Sequence, residues 1–91
     1  MLIRSQDKRM IVNFDNICTI SAFPEKDSVD IYVEDGTGSL MVGRYSVKEK
    51  AMKVLDMIQE AYCDFMAVRN GDMWCGKDSV FQMPEDSEVE A

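Results

Sequence analysis

The residues best equipped for chemistry in this sequence are basic side chains placed beside aromatic ones. Arg4, Lys8 and Arg9 cluster near the start of the chain, and Arg44 and Tyr45 are adjacent near its middle. Arginine forms paired hydrogen bonds with phosphate, and aromatic rings stack on nucleobases. If the first and last strands of a curled sheet approach each other, Arg4 and Arg44 converge. The pattern predicts a site for a phosphorylated small molecule at Arg4, Arg44 and Tyr45; the alternative is exposed arginines that form weak surface pairs.

Catalytic chemistry has little support in the sequence. There is no histidine, so neither a Ser-His-Asp nor a Cys-His arrangement can form. The three cysteines, Cys18, Cys63 and Cys75, are widely spaced and form no C-x-x-C pair, which argues against a zinc site. We therefore predict a protein that is not an enzyme and holds no metal or cofactor.

A second kind of site is indicated by Met73 and Trp74, which we predict to be interface residues. Methionine and tryptophan are common anchors of protein interfaces. The open face of the predicted sheet is the other candidate surface. A small hydrophobic core and eight methionines also favour association, so we expect a protein partner or self-association into a homo-oligomer.

Charge is distributed unevenly along the 91 residues, whose net charge is −7. Residues 84–91 hold four of the 17 acidic residues and no basic one, so thirteen acids and ten bases leave −3 in residues 1–83. We predict one domain over residues 1–83 and an acidic, disordered tail over residues 84–91. An acidic balance argues against duplex nucleic acid as the ligand, because such binding depends on neutralising phosphates.

The cellular location is predicted from two sequence features that are not found, a signal segment and a membrane-spanning stretch. No basic segment followed by an apolar run opens the sequence, and no stretch approaches 18 apolar residues. We expect a cytoplasmic protein with reduced thiols and no contact with a membrane.

One long amphipathic helix is predicted from Ser46 to Arg69. Ser46 and Glu49 have the spacing of a capping box, and Asn70 with Gly71 suits a helix C-terminus. The apolar stripe recurs at intervals of three and four residues and comprises Val47, Ala51, Val54, Leu55, Ile58, Ala61, Tyr62 and Phe65. We predict that this stripe covers a sheet rather than a separate partner.

Short strands with strong turns precede the helix. The predicted strands are Leu2–Arg4, Met10–Asn13, Ile17–Phe23, Val29–Glu34 and Ser39–Arg44. Asp35, Gly36, Thr37 and Gly38 predict a hairpin turn, and residues 5–8 predict another. The predicted fold is α+β: an antiparallel meander of about five strands packed against the C-terminal helix. Residues 80–83 could add a short edge strand.

Several segments together resemble a family of short, uncharacterised proteins from Firmicutes chromosomes and their prophages. The segments are residues 3–8 (IRSQDK), 12–16 (VNFDN), 43–51 (GRYS followed by KEKA), 54–58 (VLDMI) and 80–84 (VFQMP). The resemblance covers most of the chain, but residues 66–77 are longer than in the shorter members. It implies a bacterial or phage cytosolic setting and a role as an accessory protein of a mobile element, and it implies no activity or ligand.

Two functions follow from these observations. The first is a small, non-enzymatic binding or adaptor protein that acts through protein contacts. The second is a prophage-encoded sponge that sequesters a signalling nucleotide through Arg4, Arg44 and an aromatic residue of a neighbouring subunit.

Overall fold

Six β-strands and one long α-helix form the part of the chain that the structure describes. The structure is a computed structural model that describes residues 1–70 and 80–90, without the side chains of residues 65 and 67–70. The strands are β1 (Leu2–Arg4), β2 (Ile11–Asn13), β3 (Thr19–Pro24), β4 (Val29–Glu34), β5 (Ser39–Tyr45) and β6 (Val80–Gln82), and the helix is α1 (Lys48–Asn70). The predicted α+β class is confirmed, and residues 80–82 form the additional edge strand.

The strands form two sheets, so the prediction of a single five-stranded meander is wrong. One sheet has the order β2-β1-β6 and the other has the order β3-β4-β5. A 3-10 turn over Phe14–Asn16 separates them, and the Asn13 side chain caps it by accepting from the Asp15 amide. β1 pairs antiparallel with β2 and parallel with β6, and β2 remains an edge strand that does not pair with β3.

The two predicted hairpins are confirmed, and local turn chemistry explains both. At the first, Asp7 Oδ1 accepts from the Ser5 hydroxyl and the Arg9 amide, and Lys8 has a φ of 67°. At the second, Asp35 Oδ1 accepts from the amides of Thr37 and Gly38, and Gly36 supplies a φ of 94°. Aspartate and glycine are favoured in turns for these reasons.

Gln6 joins the two sheets. Its backbone amide donates to the Val42 carbonyl at 2.8 Å, and its side chain pairs with both backbone groups of Arg44, at 2.9 and 3.0 Å. The Gln6 side-chain amide thus forms the same pair of hydrogen bonds with the free edge of β5 that the backbone of a neighbouring strand would form. Its nitrogen also donates to the Pro84 carbonyl at 3.2 Å, which holds the C-terminal segment at the same point.

The helix covers one face of the β3-β4-β5 sheet. Ala51, Val54 and Ile58 are at most 2 % exposed and share a core with the inward row of β4, Val29, Ile31 and Val33. The predicted stripe is confirmed at these helix positions. Val47 is 41 % exposed, because the helix begins after it. The prediction for Phe65 lies outside the described side chains.

The helix start differs from the predicted capping box. The first helical hydrogen bond runs from the Ala51 amide to the Val47 carbonyl, so Ser46 precedes the cap position. The Ser46 amide donates to Asp86 at 2.7 Å, which replaces the predicted bond to Glu49. This hydrogen bond lowers the pKa of the Asp86 carboxyl, and a carboxylate at a helix N-terminus is favoured by the helix dipole.

The C-terminal segment is packed, so the prediction of disorder is wrong for residues 84–90. Lys50 Nζ donates to the Asp86 carbonyl at 2.9 Å, and a 3-10 turn over Asp86–Glu88 follows. Val89 is 4 % exposed within the core. Composition alone pointed to disorder, but the structure buries Val89 and gives both Pro84 and Asp86 hydrogen-bond partners in the rest of the fold.

We expect Val89→Ala to lower the free energy of unfolding by about 1–3 kcal/mol, because two buried methyl groups are lost and the cavity fills only partly. Glu90→Ala, at the exposed neighbouring position, should change it by less than about 0.5 kcal/mol. Urea unfolding of both variants measures the difference. A disordered tail would make the two variants indistinguishable.

We expect Gln6→Met to lower the free energy of unfolding by about 1–2 kcal/mol, because methionine keeps the length of the side chain but leaves both Arg44 backbone groups unpaired. Gln59→Met on the exposed face of α1 is the matched control and should be near neutral. Equal unfolding midpoints for the two variants would show that Gln6 does not join the sheets.

Candidate functional site

The candidate site is the face of the β3-β4-β5 sheet that lies opposite the helix. Alternation along β4 places Asp30, Tyr32 and Glu34 on this side, opposite the buried row. The strand register adds Phe23 from β3, opposite Asp30, and Met41 and Arg44 from β5. We call these six residues the open face. Phe23 is 49 % exposed and Met41 is 41 % exposed.

A register shift in β5 brings Met41 and Arg44 to the same face. Arg44 is opposite Asp30 and Gly43 is opposite Ile31, but Met41 is opposite Tyr32, so Val42 is an extra residue. In a regular strand, residues three apart point to opposite faces, and a bulge removes that alternation. The Arg44 guanidinium accordingly lies 4.0 Å from the Met41 sulfur.

Arg44 and Asp30 form a bidentate ion pair on the open face. Arg44 Nε donates to Asp30 Oδ1 at 2.9 Å, and Nη2 donates to Oδ2 at 3.1 Å. The Asp30 side chain is 1 % exposed and that of Arg44 is 61 % exposed, so the arginine covers the carboxylate. The guanidinium, helped by the Ser28 hydroxyl, holds the pKa of Asp30 below its ordinary value of 3.8 against the effect of burial, and Asp30 raises the pKa of Arg44.

Two aromatic rings lie beside this ion pair. Phe23 and Tyr32 pack edge to face, with ring centroids 5.8 Å apart and an interplanar angle of 82°. A shallow cleft of about 250 Å³ borders the rings and is lined by Phe23, Glu25, Tyr32, Glu34 and Ser39. The open face and the cleft beside it therefore combine apolar contact area, a guanidinium fixed in place and the exposed carboxylates of Glu25 and Glu34.

The structure does not bring the three predicted ligand-binding residues together. Arg4 is exposed at the first hairpin, where its Nε donates to the Lys8 carbonyl at 3.1 Å. Tyr45 follows Arg44 in β5 and so points to the opposite side, where it is 0 % exposed. The prediction that Tyr45 binds a ligand is therefore wrong, whereas Arg44 does lie on an exposed face.

Tyr45 is a core residue with a structural hydrogen bond. Its hydroxyl donates to the Pro84 carbonyl at 2.7 Å, and burial, with the negative charges of Asp86 and Glu88, raises its pKa far above 10.0. Its ring also lies against Gly43, where a β-carbon would be only 3.0 Å from a ring carbon. Glycine at that position thus permits the close approach of the ring to the strand.

The described residues contain no second candidate site among the other residues that were singled out in the sequence. The predicted interface residues Met73 and Trp74 lie outside the described residues. Cys18 and Cys63 have free, exposed thiols. Within residues 1–70 and 80–90, no three metal-ligating side chains converge, and no helix is both long and apolar enough to cross a bilayer.

Sequence reasoning missed Phe23, Asp30, Tyr32 and Met41 as members of a site. One sequence pattern could have indicated this surface: the outward row of β4 has an aromatic residue, Tyr32, between two acids. No local sequence pattern indicated that Met41 and Arg44 of β5 share a face, because this depends on the extra residue in that strand. Recognising Asp30 as buried required knowing that Arg44 lies opposite it.

Comparison of the chain with protein-family models, with curated proteins and with solved structures finds no match. The resemblance to short Firmicutes and prophage proteins stays a prediction. Any functional proposal therefore depends on the geometry of the chain itself.

We expect Asp30→Asn to lower the free energy of unfolding at pH 7 by about 1–3 kcal/mol, because the charged hydrogen bonds to Arg44 are lost. Since the folded-state pKa of Asp30 is lowered, its contribution is complete above the ordinary value of 3.8 and disappears as the pH falls through the folded-state pKa.

Urea unfolding at a series of pH values measures this contribution. The difference between the parent protein and Asp30→Asn should therefore shrink as the pH drops below 3.8. Glu34→Gln, on the same face of the same strand but exposed, is the control and should change stability by less than about 0.5 kcal/mol at pH 7. A difference that stays constant with pH would contradict a structural role for the charged pair.

Proposed function

We propose that this chain is a small, non-enzymatic binding or adaptor protein that contacts a protein partner through the open face. The observation that carries the proposal is the group of exposed Phe23 and Met41 and partly buried Tyr32 beside Arg44. Aromatic residues, methionine and arginine are the types enriched in the centres of protein interfaces. A second argument for the proposal is that contacts within the protein already hold these side chains in place.

Preorganisation matters because association must offset the entropy lost by mobile side chains. Two bonds to Asp30 hold the Arg44 guanidinium, and the edge-to-face contact holds the rings of Phe23 and Tyr32. These residues would therefore lose little conformational freedom when a partner binds. An exposed lysine on α1 offers no comparable restraint.

The alternative, a site for a phosphorylated small molecule, is the weaker proposal. Tyr45 is buried, and the Arg44 guanidinium already binds a carboxylate through two of its nitrogens. An incoming phosphate would have to compete with Asp30 for that guanidinium. A cytoplasmic setting and a role in a mobile element remain part of the main proposal, on the strength of the resemblance described above.

A photo-crosslinking residue tests the proposed contact surface. Replacing Phe23 with p-benzoylphenylalanine keeps an aromatic ring on the open face, and the same replacement at Met52 places it on the outer face of α1. The two positions have matched exposures of 49 % and 45 %. After irradiation of living host cells, we expect a discrete protein adduct from position 23 and none from position 52, read by mass spectrometry.

An adduct of two copies of this chain would identify the partner as a second copy. Adducts from position 52 alone, or the same set of adducts from both positions, would contradict the assignment of the open face. Circular dichroism of both variants checks that the fold is retained.

A further inference from the structure

The cleft beside Phe23 and Tyr32 has the size of a site for one side chain. Its volume of about 250 Å³ is below the roughly 300–1,000 Å³ of pockets that hold drug-sized ligands. Phe23 and Tyr32 are its aromatic lining residues, and Glu25, Glu34 and Ser39 are its polar ones. Such a cleft suits a long side chain with an apolar stem and a charged end.

The charge of the cleft selects a cation. Glu25 and Glu34 are exposed, and within the described residues neither carboxylate forms a hydrogen bond or an ion pair. Asp30 is already neutralised by Arg44, although the charge of Glu25 also acts on Arg44 at longer range. The cleft thus presents two negative charges in a protein whose net charge is −7, which disfavours an anionic ligand.

The aromatic rings reinforce this selection. A lysine or arginine side chain near the face of an aromatic ring gains a cation–π interaction, and its methylene groups pack on the ring. Phe23 is half exposed, and Tyr32 holds its ring edge to face. The cleft therefore offers both an apolar surface for the stem and negative charge for the head of a basic residue.

We propose, on the basis of the proposed function, that the open face binds a basic segment of another protein and that the cleft takes one lysine or arginine side chain of that segment. A second copy of this chain fits less well, because it brings a further net charge of −7. The Arg44 that a second open face would present is already paired with Asp30.

Fluorescence anisotropy with two labelled peptides tests the proposal. One peptide alternates lysine with serine, and the other has glutamate in place of each lysine. We expect the lysine peptide to bind, to weaken as salt is raised, and to bind more tightly than the glutamate peptide. An equally strong glutamate peptide would overturn the proposal.

Matched variants then locate the binding. Glu25→Gln with Glu34→Gln should weaken binding of the lysine peptide by about five- to tenfold, because two charge pairs are lost. Glu49→Gln with Glu60→Gln makes the same change of net charge on α1 and should alter binding by less than about twofold. Phe23→Leu, which keeps an apolar side chain but removes the ring, should weaken binding about two- to fivefold.

Equal losses in the two double variants would show that binding reflects net charge alone, and would overturn the proposal. The crosslink at position 23 separates this failure from failure of the proposed function. If the adduct forms with equal yield after Glu25→Gln and Glu34→Gln, the open face is an interface but its partner is not recognised through a cation. If the adduct is absent in the parent background, the proposed function itself fails.

Discussion

The extra residue Val42 in β5 determines which side chains reach each side of the fold. On the inner side, Val42 is 2 % exposed and Tyr45 is 0 % exposed, and both belong to the core. On the outer side, Met41 and Arg44 face the same way although they are three residues apart. In a strand without the bulge, Met41 and Arg44 would face opposite sides of the sheet. Val42 and Tyr45 would do the same, so only one of these two could lie in the core.

The same short stretch connects the remaining parts of the molecule. The carbonyl of Val42 and both backbone groups of Arg44 receive Gln6, which brings the β2-β1-β6 sheet to the edge of β5. The Tyr45 hydroxyl and the Gln6 side chain both donate to Pro84, which fixes the start of the C-terminal segment. That segment then supplies Asp86 to the start of the helix, so the sheets, the tail and the helix meet around one strand.

The features that were predicted from the sequence are those with local causes. The turns at Asp7 and Asp35 follow from side chains that bond to amides two or three residues away, and the helix face follows from its periodicity. The features that were missed join residues far apart in sequence. Gln6 meets Arg44 across 38 positions and Pro84 across 78, and no local pattern specifies either contact. Composition misled at residues 84–90, because it counts charges without showing that Asp86 has partners.

The division of acidic residues into engaged and exposed groups bears on recognition. A net charge of −7 describes the whole chain, but it does not show which carboxylates a partner would meet. Asp30 is covered by Arg44, and Asp86 is bonded to the start of the helix, so these charges stabilise the fold. Glu25 and Glu34 lie instead beside exposed Phe23 and partly buried Tyr32. The fold thus pairs Asp30 and Asp86 with its own groups and leaves negative charge beside the apolar surface, where the proposed basic side chain would contact both.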